Sequence, residues 1–184
     1  MLRNKESERY KTRPSKASAG NVAGYGILIA LALVLSYVES RVPAFFAVPG
    51  MKLGITNLLV IFALYRMGEK QAVFVNLLRV LLVSLLFGNA MSLSYSLAGA
   101  VLSGLVMILL KRTGRFSMIT VSIAGGIAHN VGQILMAMWM LGTGAILWYL
   151  AALWFSGIAA GAVIGLVGAE LVKRIPRRFT DGLC

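Results

Sequence analysis

Six long apolar runs constrain the fold of this chain more than any other feature of its sequence. A helix needs about 20 apolar residues to cross a hydrocarbon core of about 30 Å, and a lone strand would leave backbone groups unpaired in lipid. No run alternates with the two-residue period of a barrel strand. The sequence therefore predicts an all-α integral membrane protein, a bundle of six transmembrane helices. The predicted spans are 20–40, 53–66, 71–88, 92–110, 118–141 and 145–172.

Composition agrees with solvation by lipid, because 59% of the residues are hydrophobic and only 13% are charged. The net charge of +12 comes from bases that lie between the spans. Bases next to spans mark the cytoplasmic side, so both termini are predicted to be cytoplasmic. The opposite side carries only Arg41 and Lys52, and Arg79 lies inside a span. The cytoplasmic bases are Arg3, Lys5, Arg9, Lys11, Arg13, Lys16, Arg66, Lys70, Lys111, Arg112, Arg115, Lys173, Arg174, Arg177 and Arg178.

This distribution argues against a nucleic-acid interface, which interleaves bases with aromatic residues on one face. Residues 1–19 are rich in Lys, Arg, Glu and Ser and predict a disordered basic cytoplasmic arm. Residues 20–172 form one membrane domain in this prediction, and residues 173–184 form a basic cytoplasmic tail. The first apolar run is too long for a signal peptide and is followed by Glu39 instead of a cleavage site.

Small residues recur at four-residue spacing on several spans and predict close helix contacts. In the first span, Gly26 and Ala30 share one face, and Ala32 and Ser36 share a neighbouring face. Two interpretations stay open for these faces: internal packing, or docking of a separate membrane subunit. Similar spacing in spans five and six involves Ala124, Ala128, Gly132, Gly157, Gly161 and Gly165.

Arg79 is the most informative polar residue, because it lies near the middle of the third span. An arginine at mid-membrane costs about 2.5–3.5 kcal/mol on the insertion scale. The nearest acids in the spans, Glu39 and Glu170, lie at span ends. The candidate partners are Asn76 one turn earlier, helix carbonyls, water and an anionic ligand. A structural role and a ligand-binding role both remain open.

His129, Asn130 and Gln133 form a second polar group, on one arc of the fifth span. We expect them to line a polar cavity with Arg79 that opens toward the outer face. A metal site is disfavoured, because the chain has one histidine and its single cysteine is the terminal Cys184. No cofactor is predicted.

A third polar group lies near the outer face and comprises Glu39, Asn57 and Tyr95 with the surrounding polar residues. Each is a candidate for substrate binding, and each has an ordinary structural alternative. The chain has no Gly-rich loop ending in Gly-Lys-Ser or Gly-Lys-Thr, so it cannot itself hydrolyse ATP. Its only aspartate is Asp181 in the tail, which leaves no acidic pair to hold magnesium diphosphate. We therefore predict that the chain catalyses no reaction.

Four segments carry a resemblance to a known family: 30–39, 48–57, the turn 76–79 and the segment 124–133. Over residues 20–172 the chain resembles the Gx transporter family, also labelled heptaprenyl diphosphate synthase component I. That family is similar to the substrate-binding S components of energy-coupling factor importers. The resemblance implies six helices, an outward ligand site, a transmembrane coupling subunit and two ATPases. It also implies that Gly26 and Ala30 dock the coupling subunit, although a glycine replaces the first of the usual two alanines.

The leading hypothesis is a substrate-binding subunit in the bacterial inner membrane that takes part in importing a small, vitamin-like or anionic molecule. The alternative is an accessory membrane subunit, component I, of heptaprenyl or polyprenyl diphosphate synthesis. A membrane anchor in an electron-transfer assembly is a third hypothesis. The expected partners are a small-molecule substrate, membrane lipids and the coupling subunit with its ATPases, and not nucleic acid.

Overall fold

The computed structural model describes residues 16–41 and 56–175, with side chains except those of residues 16–23, 39–41 and Tyr149. Regular structure in this part of the chain is helical throughout. A 3₁₀ turn at Ala145–Leu147 leads into the last helix. The helices are α1 (Lys16–Arg41), α2 (Asn57–Arg66), α3 (Glu69–Phe87), α4 (Ala90–Thr113), α5 (Met118–Leu141) and α6 (Trp148–Arg174).

The all-helical prediction is confirmed over the described residues, and the helix positions follow the predicted spans closely. Four helical segments are long and apolar enough to cross a membrane: Glu69–Phe87, Ala90–Thr113, Met118–Leu141 and Ala145–Arg174. The apolar helical stretches Gly24–Val38 and Asn57–Arg66 are shorter. Helix α1 begins at Lys16, so the last four residues of the predicted arm are helical.

Short connections with capping residues separate the four C-terminal helices. The Asn89 side chain accepts a hydrogen bond from the backbone N–H of Ser92 at 2.8 Å, which caps the start of α4. Ser117 caps α5 in the same way through Thr120. Gly114 and Gly142 end α4 and α5 with φ of 67° and 63°, a left-handed conformation that favours glycine. Because each helix ends at a cap and the connection to the next one is short, consecutive helices pack side by side and antiparallel.

Helix α2 occupies the centre of the bundle. Residues 59–64 are all buried, and α1, α3 and α6 pack around them. A helix that is apolar on every side can face other helices or lipid. In this structure, other helices cover α2.

Basic side chains bring the ends of four helices together. Arg66 at the end of α2 donates to the carbonyls of Val172 and Ile175 at the end of α6. Lys111 near the end of α4 donates to the Leu64 carbonyl. Arg112 pairs with Glu69 at the start of α3 at 2.6 Å. We call this side of the bundle the basic end.

Glycines allow α4, α5 and α6 to approach each other closely. A Cβ built on Gly132 would lie 2.8 Å from the Ala98 carbonyl oxygen, and one on Gly161 would lie 2.6 Å from the Ile123 Cα. A Cβ on Gly126 would lie 2.7 Å from the Gly157 carbonyl oxygen. Of the small residues predicted to mediate packing in α5 and α6, the four glycines do so: Gly132, Gly157, Gly161 and Gly165. We call α4, α5 and α6 with these contacts the glycine-packed region.

Large apolar side chains cover the outside of the bundle. Trp139 is 78% exposed and Trp148 is 89% exposed, and they flank the α5–α6 connection on the side away from the basic end. Tryptophan is enriched where a membrane meets water. The described surface is therefore suited to a multi-pass membrane protein.

Candidate functional site

The Arg79 side chain is buried, with 6% of its surface exposed, near the middle of α3. Its Nη2 donates to the Asn76 Oδ1 at 3.1 Å, and its Nη1 donates to the Thr56 hydroxyl. Both of these partners are neutral. Each accepts a hydrogen bond from the guanidinium.

Arg79 lines a small polar cavity, which we call the Arg79 cavity. The cavity offers about 40 Å³ of space to the centre of a water molecule, which is room for roughly three waters. It lies in the half of the bundle away from the basic end, where α2 begins. No acidic residue is among the described residues around it. Its lining is Ser36, Thr56, Asn57, Arg79, Val80, Val83, Ser84, Ser96, His129 and Gln133.

His129 reaches this cavity because α4 presents a glycine to it. A Cβ on Gly99 would lie 2.9 Å from the His129 Nδ1 and 2.8 Å from the His129 carbonyl oxygen. Any side chain at Gly99 would therefore displace the imidazole. Gln133 lies one turn further along α5 and lines the same cavity.

Asn130 is placed differently from the prediction. It does not line the Arg79 cavity, because its Nδ2 donates to the Leu153 carbonyl of α6 at 2.6 Å. It lines a second cavity, of about 30 Å³, between α5 and α6. Asn57 and His129 line both cavities and so form the partition between them. The three polar residues predicted to share one cavity therefore line two: Gln133 lines the Arg79 cavity, Asn130 lines the second cavity, and His129 lines both.

The other predicted residues occupy several environments. Asn76 holds Arg79 in place and donates its own Nδ2 to the Ala100 carbonyl at 3.3 Å. Asn57 begins α2, and Tyr95 is half-buried on α4 and lines neither of the two cavities. The Glu39 side chain lies outside the described residues.

Gly26 and Ala30, the predicted docking pair, lie on the exposed face of α1. A Cβ built on Gly26 would have no neighbour within 4 Å. Ala32 and Ser36 on the neighbouring face are buried. The two small-residue faces of α1 therefore differ: one packs inside the bundle, and the other is open.

Sequence reasoning does not identify three hydroxyl side chains as members of this site: Ser36, Thr56 and Ser84. Ser96, which belongs to the polar group predicted near the outer face, also lines the cavity. Thr56 lies just before α2 and is only 4% exposed. The spacing of Ser36 indicates only a small-residue face. A hydroxyl in an apolar run is too common to indicate a site without knowledge of which helices meet.

The arrangement is suited to holding an anionic group. The cavity is lined by the permanently charged guanidinium of Arg79, a group of N–H donors, together with hydroxyl, amide and imidazole groups. Within residues 16–41 and 56–175, no group of three histidine, cysteine or acidic side chains could hold a metal ion. The geometry therefore favours a carboxylate-sized or phosphate-sized group bound through Arg79.

Comparisons with known proteins add one result. The family model described as heptaprenyl diphosphate synthase component I matches residues 28–171. Searches of the curated proteins and of the solved structures give no match. The matched range contains the Arg79 cavity and all of α2 to α5.

Proposed function

Because the chain belongs to the heptaprenyl diphosphate synthase component I family, we propose that it serves heptaprenyl diphosphate synthesis as an accessory membrane subunit. The family match over residues 28–171 carries this proposal. Its role is to keep the synthesis at the membrane, where a product with a long apolar chain must be held. The catalytic subunit of the synthase is then its partner.

The family is that of a non-catalytic component of a prenyl diphosphate synthase. The sequence gives a physical reason for this. Ionising an allylic diphosphate needs metal held by paired acids, and the only aspartate is Asp181. The catalytic step therefore belongs to another chain.

Reconstitution tests this proposal. The purified protein in lipid nanodiscs is incubated with magnesium, farnesyl diphosphate and isopentenyl diphosphate, with and without the catalytic subunit from the same cells. Alone it should form no longer prenyl diphosphate. Together with the catalytic subunit, it should raise the yield or chain length of the product above that of the catalytic subunit with empty nanodiscs. No increase in either quantity would contradict the proposal.

A second candidate function is import of a small anion, with this chain as the substrate-binding subunit. The Arg79 cavity favours it, because its lining combines a buried guanidinium with hydroxyl, amide and imidazole groups, which is the chemistry of an anion site. The cavity is large enough for an anionic group and not for a prenyl chain. In this function the exposed Gly26 and Ala30 form the docking face for a transmembrane coupling subunit, which works with two ATPases.

Co-purification distinguishes the importer from the synthase subunit. An importer subunit extracted gently from its own membrane should carry the coupling subunit and ATPases, and native mass spectrometry should find a bound small anion. Gly26→Leu should remove the coupling subunit while retaining the anion. Ala159→Leu, on the exposed face of α6, is the matched control and should retain both. Isolation of the intact chain with neither would contradict import.

We propose in addition a six-span topology in a bacterial inner membrane, with the basic end and both termini in the cytoplasm. The location of bases at one end of the bundle supports it. In a Cys184→Ser background, Ala47→Cys should react with an impermeant thiol reagent in intact cells. Tyr10→Cys and Gly114→Cys should be protected until the cells are opened. Labelling of position 114 from outside would contradict this topology.

A further inference from the structure

An apolar groove separates α3 from α4 in the half of the bundle nearer the basic end. It offers about 140 Å³ of space, more than the Arg79 cavity, and almost no polar surface lines it. Gly104 contributes to the gap, because a Cβ built on it would meet no atom within 4 Å. Val73, Val101 and Leu105 are exposed at its edges, so the groove opens sideways toward lipid. We call it the α3–α4 groove.

Polar contacts close the groove at both ends. At mid-depth, the Asn76 side chain donates to the Ala100 carbonyl. At the basic end, Arg112 donates to both carboxylate oxygens of Glu69. Between these bridges the two helices do not fill the space between them, and Val60 and Leu64 of α2 form the back wall.

The length of the groove matches one half of a bilayer. Its lining on α4 extends from Ala100 to Ile108, which at 1.5 Å per residue is about 12 Å. Half of a hydrocarbon core is about 15 Å. A single hydrocarbon chain from one leaflet therefore matches the groove in length.

The mouth of the groove at the basic end is positively charged. Lys111 and Arg112 lie one turn beyond Ile108, which lines the groove, and Lys70 is exposed near the start of α3. Glu69 is the one described acid among them. Lys111 uses one of its three donors on the Leu64 carbonyl. Three bases and one acid leave a net charge of about +2 at the membrane surface, which attracts an anionic headgroup.

We propose that the α3–α4 groove binds a prenyl diphosphate, with its apolar chain between the helices and its diphosphate at Lys70, Lys111 and Arg112. The proposal rests on the proposed role in heptaprenyl diphosphate synthesis and names where that role holds its lipid. A prenyl diphosphate has one chain and a strongly anionic head.

Binding of radiolabelled farnesyl diphosphate to the full-length protein in neutral phosphatidylcholine nanodiscs tests this proposal. Unlabelled farnesyl diphosphate should displace the label. Farnesol lacks the charge and inorganic diphosphate lacks the chain, so each should compete at least about tenfold less well. Equal competition by inorganic diphosphate would show a simple anion site, and equal competition by dioleoyl phosphatidylglycerol would show general anionic-lipid binding. Either result would overturn the proposal.

Variants locate the site. Gly104→Phe fills the groove and should weaken farnesyl diphosphate binding by about tenfold or more. Lys111→Gln should weaken it by about fivefold, the usual effect of one base at a membrane surface. Ala159→Phe places the same ring on the exposed face of α6 and should have no effect.

The outcomes separate this proposal from the proposed function. If Gly104→Phe and Lys111→Gln, both folded by thermal unfolding, bind farnesyl diphosphate as tightly as the native chain, the groove is not the site. The stimulation of the catalytic subunit could then still be present, and the proposed function would stand. If farnesyl diphosphate binds in the groove but product formation does not rise, the proposed function fails and the lipid site stands.

Discussion

The glycine-packed region and the α3–α4 pair use small residues in opposite ways. In the glycine-packed region, a Cβ on Gly161 would lie 2.6 Å from the Ile123 Cα. The backbone of α5 therefore occupies the space that a side chain at Gly161 would need. Between α3 and α4, a Cβ on Gly104 would meet nothing within 4 Å. One glycine joins two helices, and the other leaves a gap between them.

This difference shows that glycine content alone does not determine how tightly two membrane helices pack. In lipid, helices associate through van der Waals contact and hydrogen bonds, with no gain from burying apolar surface away from water. A pair without close backbone contact must therefore be held by polar bridges. Asn76 supplies the buried bridge for α3 and α4, and the exposed Glu69–Arg112 pair adds little to it. Such a pair can accept a ligand between its helices at little packing cost.

Gly161→Leu should lower stability more than any other single substitution proposed for these two regions. The new side chain would collide with the backbone of α5, and overpacking costs about 1–3 kcal/mol, occasionally more. We expect a severe loss of thermal stability in detergent, measured by intrinsic tryptophan fluorescence.

The matched control is Gly104→Ala. It adds a methyl group to empty space and removes a helix-destabilising glycine, which is worth up to about 1 kcal/mol. Its unfolding temperature should equal or exceed that of the native protein. If the two substitutions lower stability equally, the contrast between the two regions is wrong.

Asn76→Ala should have the next largest effect. It removes the bridge to the Ala100 carbonyl and one acceptor of the buried Arg79, and leaving such a donor unsatisfied costs about 1–3 kcal/mol. Asn130→Ala, which removes one bond to the Leu153 carbonyl in the glycine-packed region, should cost less. Equal losses in chemical unfolding would show that the α3–α4 pair does not depend on its polar bridge.

Arg79→Gln should weaken binding of a small anion in the Arg79 cavity by at least about tenfold, or about 1.4 kcal/mol. Arg79→Lys should restore part of that affinity, because an ammonium keeps the charge and loses the planar fork. The measurement is the fraction of protein that carries the co-purified anion in native mass spectrometry. Unchanged occupancy in a folded Arg79→Gln protein would assign Arg79 a structural role.

Glu69→Gln should have the smallest effect on stability. Arg112 and Glu69 form an exposed pair on the surface, and such pairs contribute little and are screened by salt. The unfolding temperature should stay within measurement error, at low and at high salt. A fall as large as that of Asn76→Ala would show that the ion pair, and not the Asn76 bridge, holds the two helices together.

Much of the fold could be predicted from the sequence, because nearly every residue of a membrane-spanning helix must be apolar and the span is therefore visible as a long apolar run. Apolar length locates the helices to within a few residues, and the predicted range of α5, 118–141, matches the helix in full. The cavity around Arg79 is also accessible to this reasoning, since a charge at mid-depth needs polar neighbours. His129 and Gln133 lie where that reasoning places them.

The remaining features depend on which helices meet and in what register. Asn130 shares an arc with His129, yet it turns to the Leu153 carbonyl because α6 approaches on that side. Thr56 and Ser84 join the cavity from two other parts of the chain. The α3–α4 groove could not be predicted from the sequence, because nothing in the sequence distinguishes Gly104, which leaves a gap, from the glycines that pack against a neighbouring helix.

The shortness of α2 has an electrical consequence. With 10 residues, α2 is about 15 Å long, so its first turn starts near mid-membrane, beside Arg79. In the topology proposed above, which places the basic end in the cytoplasm, an anion that reaches this point from outside crosses about half of an inside-negative membrane potential. That opposes its binding by about 1.1 kcal/mol per 100 mV for each charge. A neutral zwitterion meets no such opposition, so energised membranes favour ligands that carry a compensating cation.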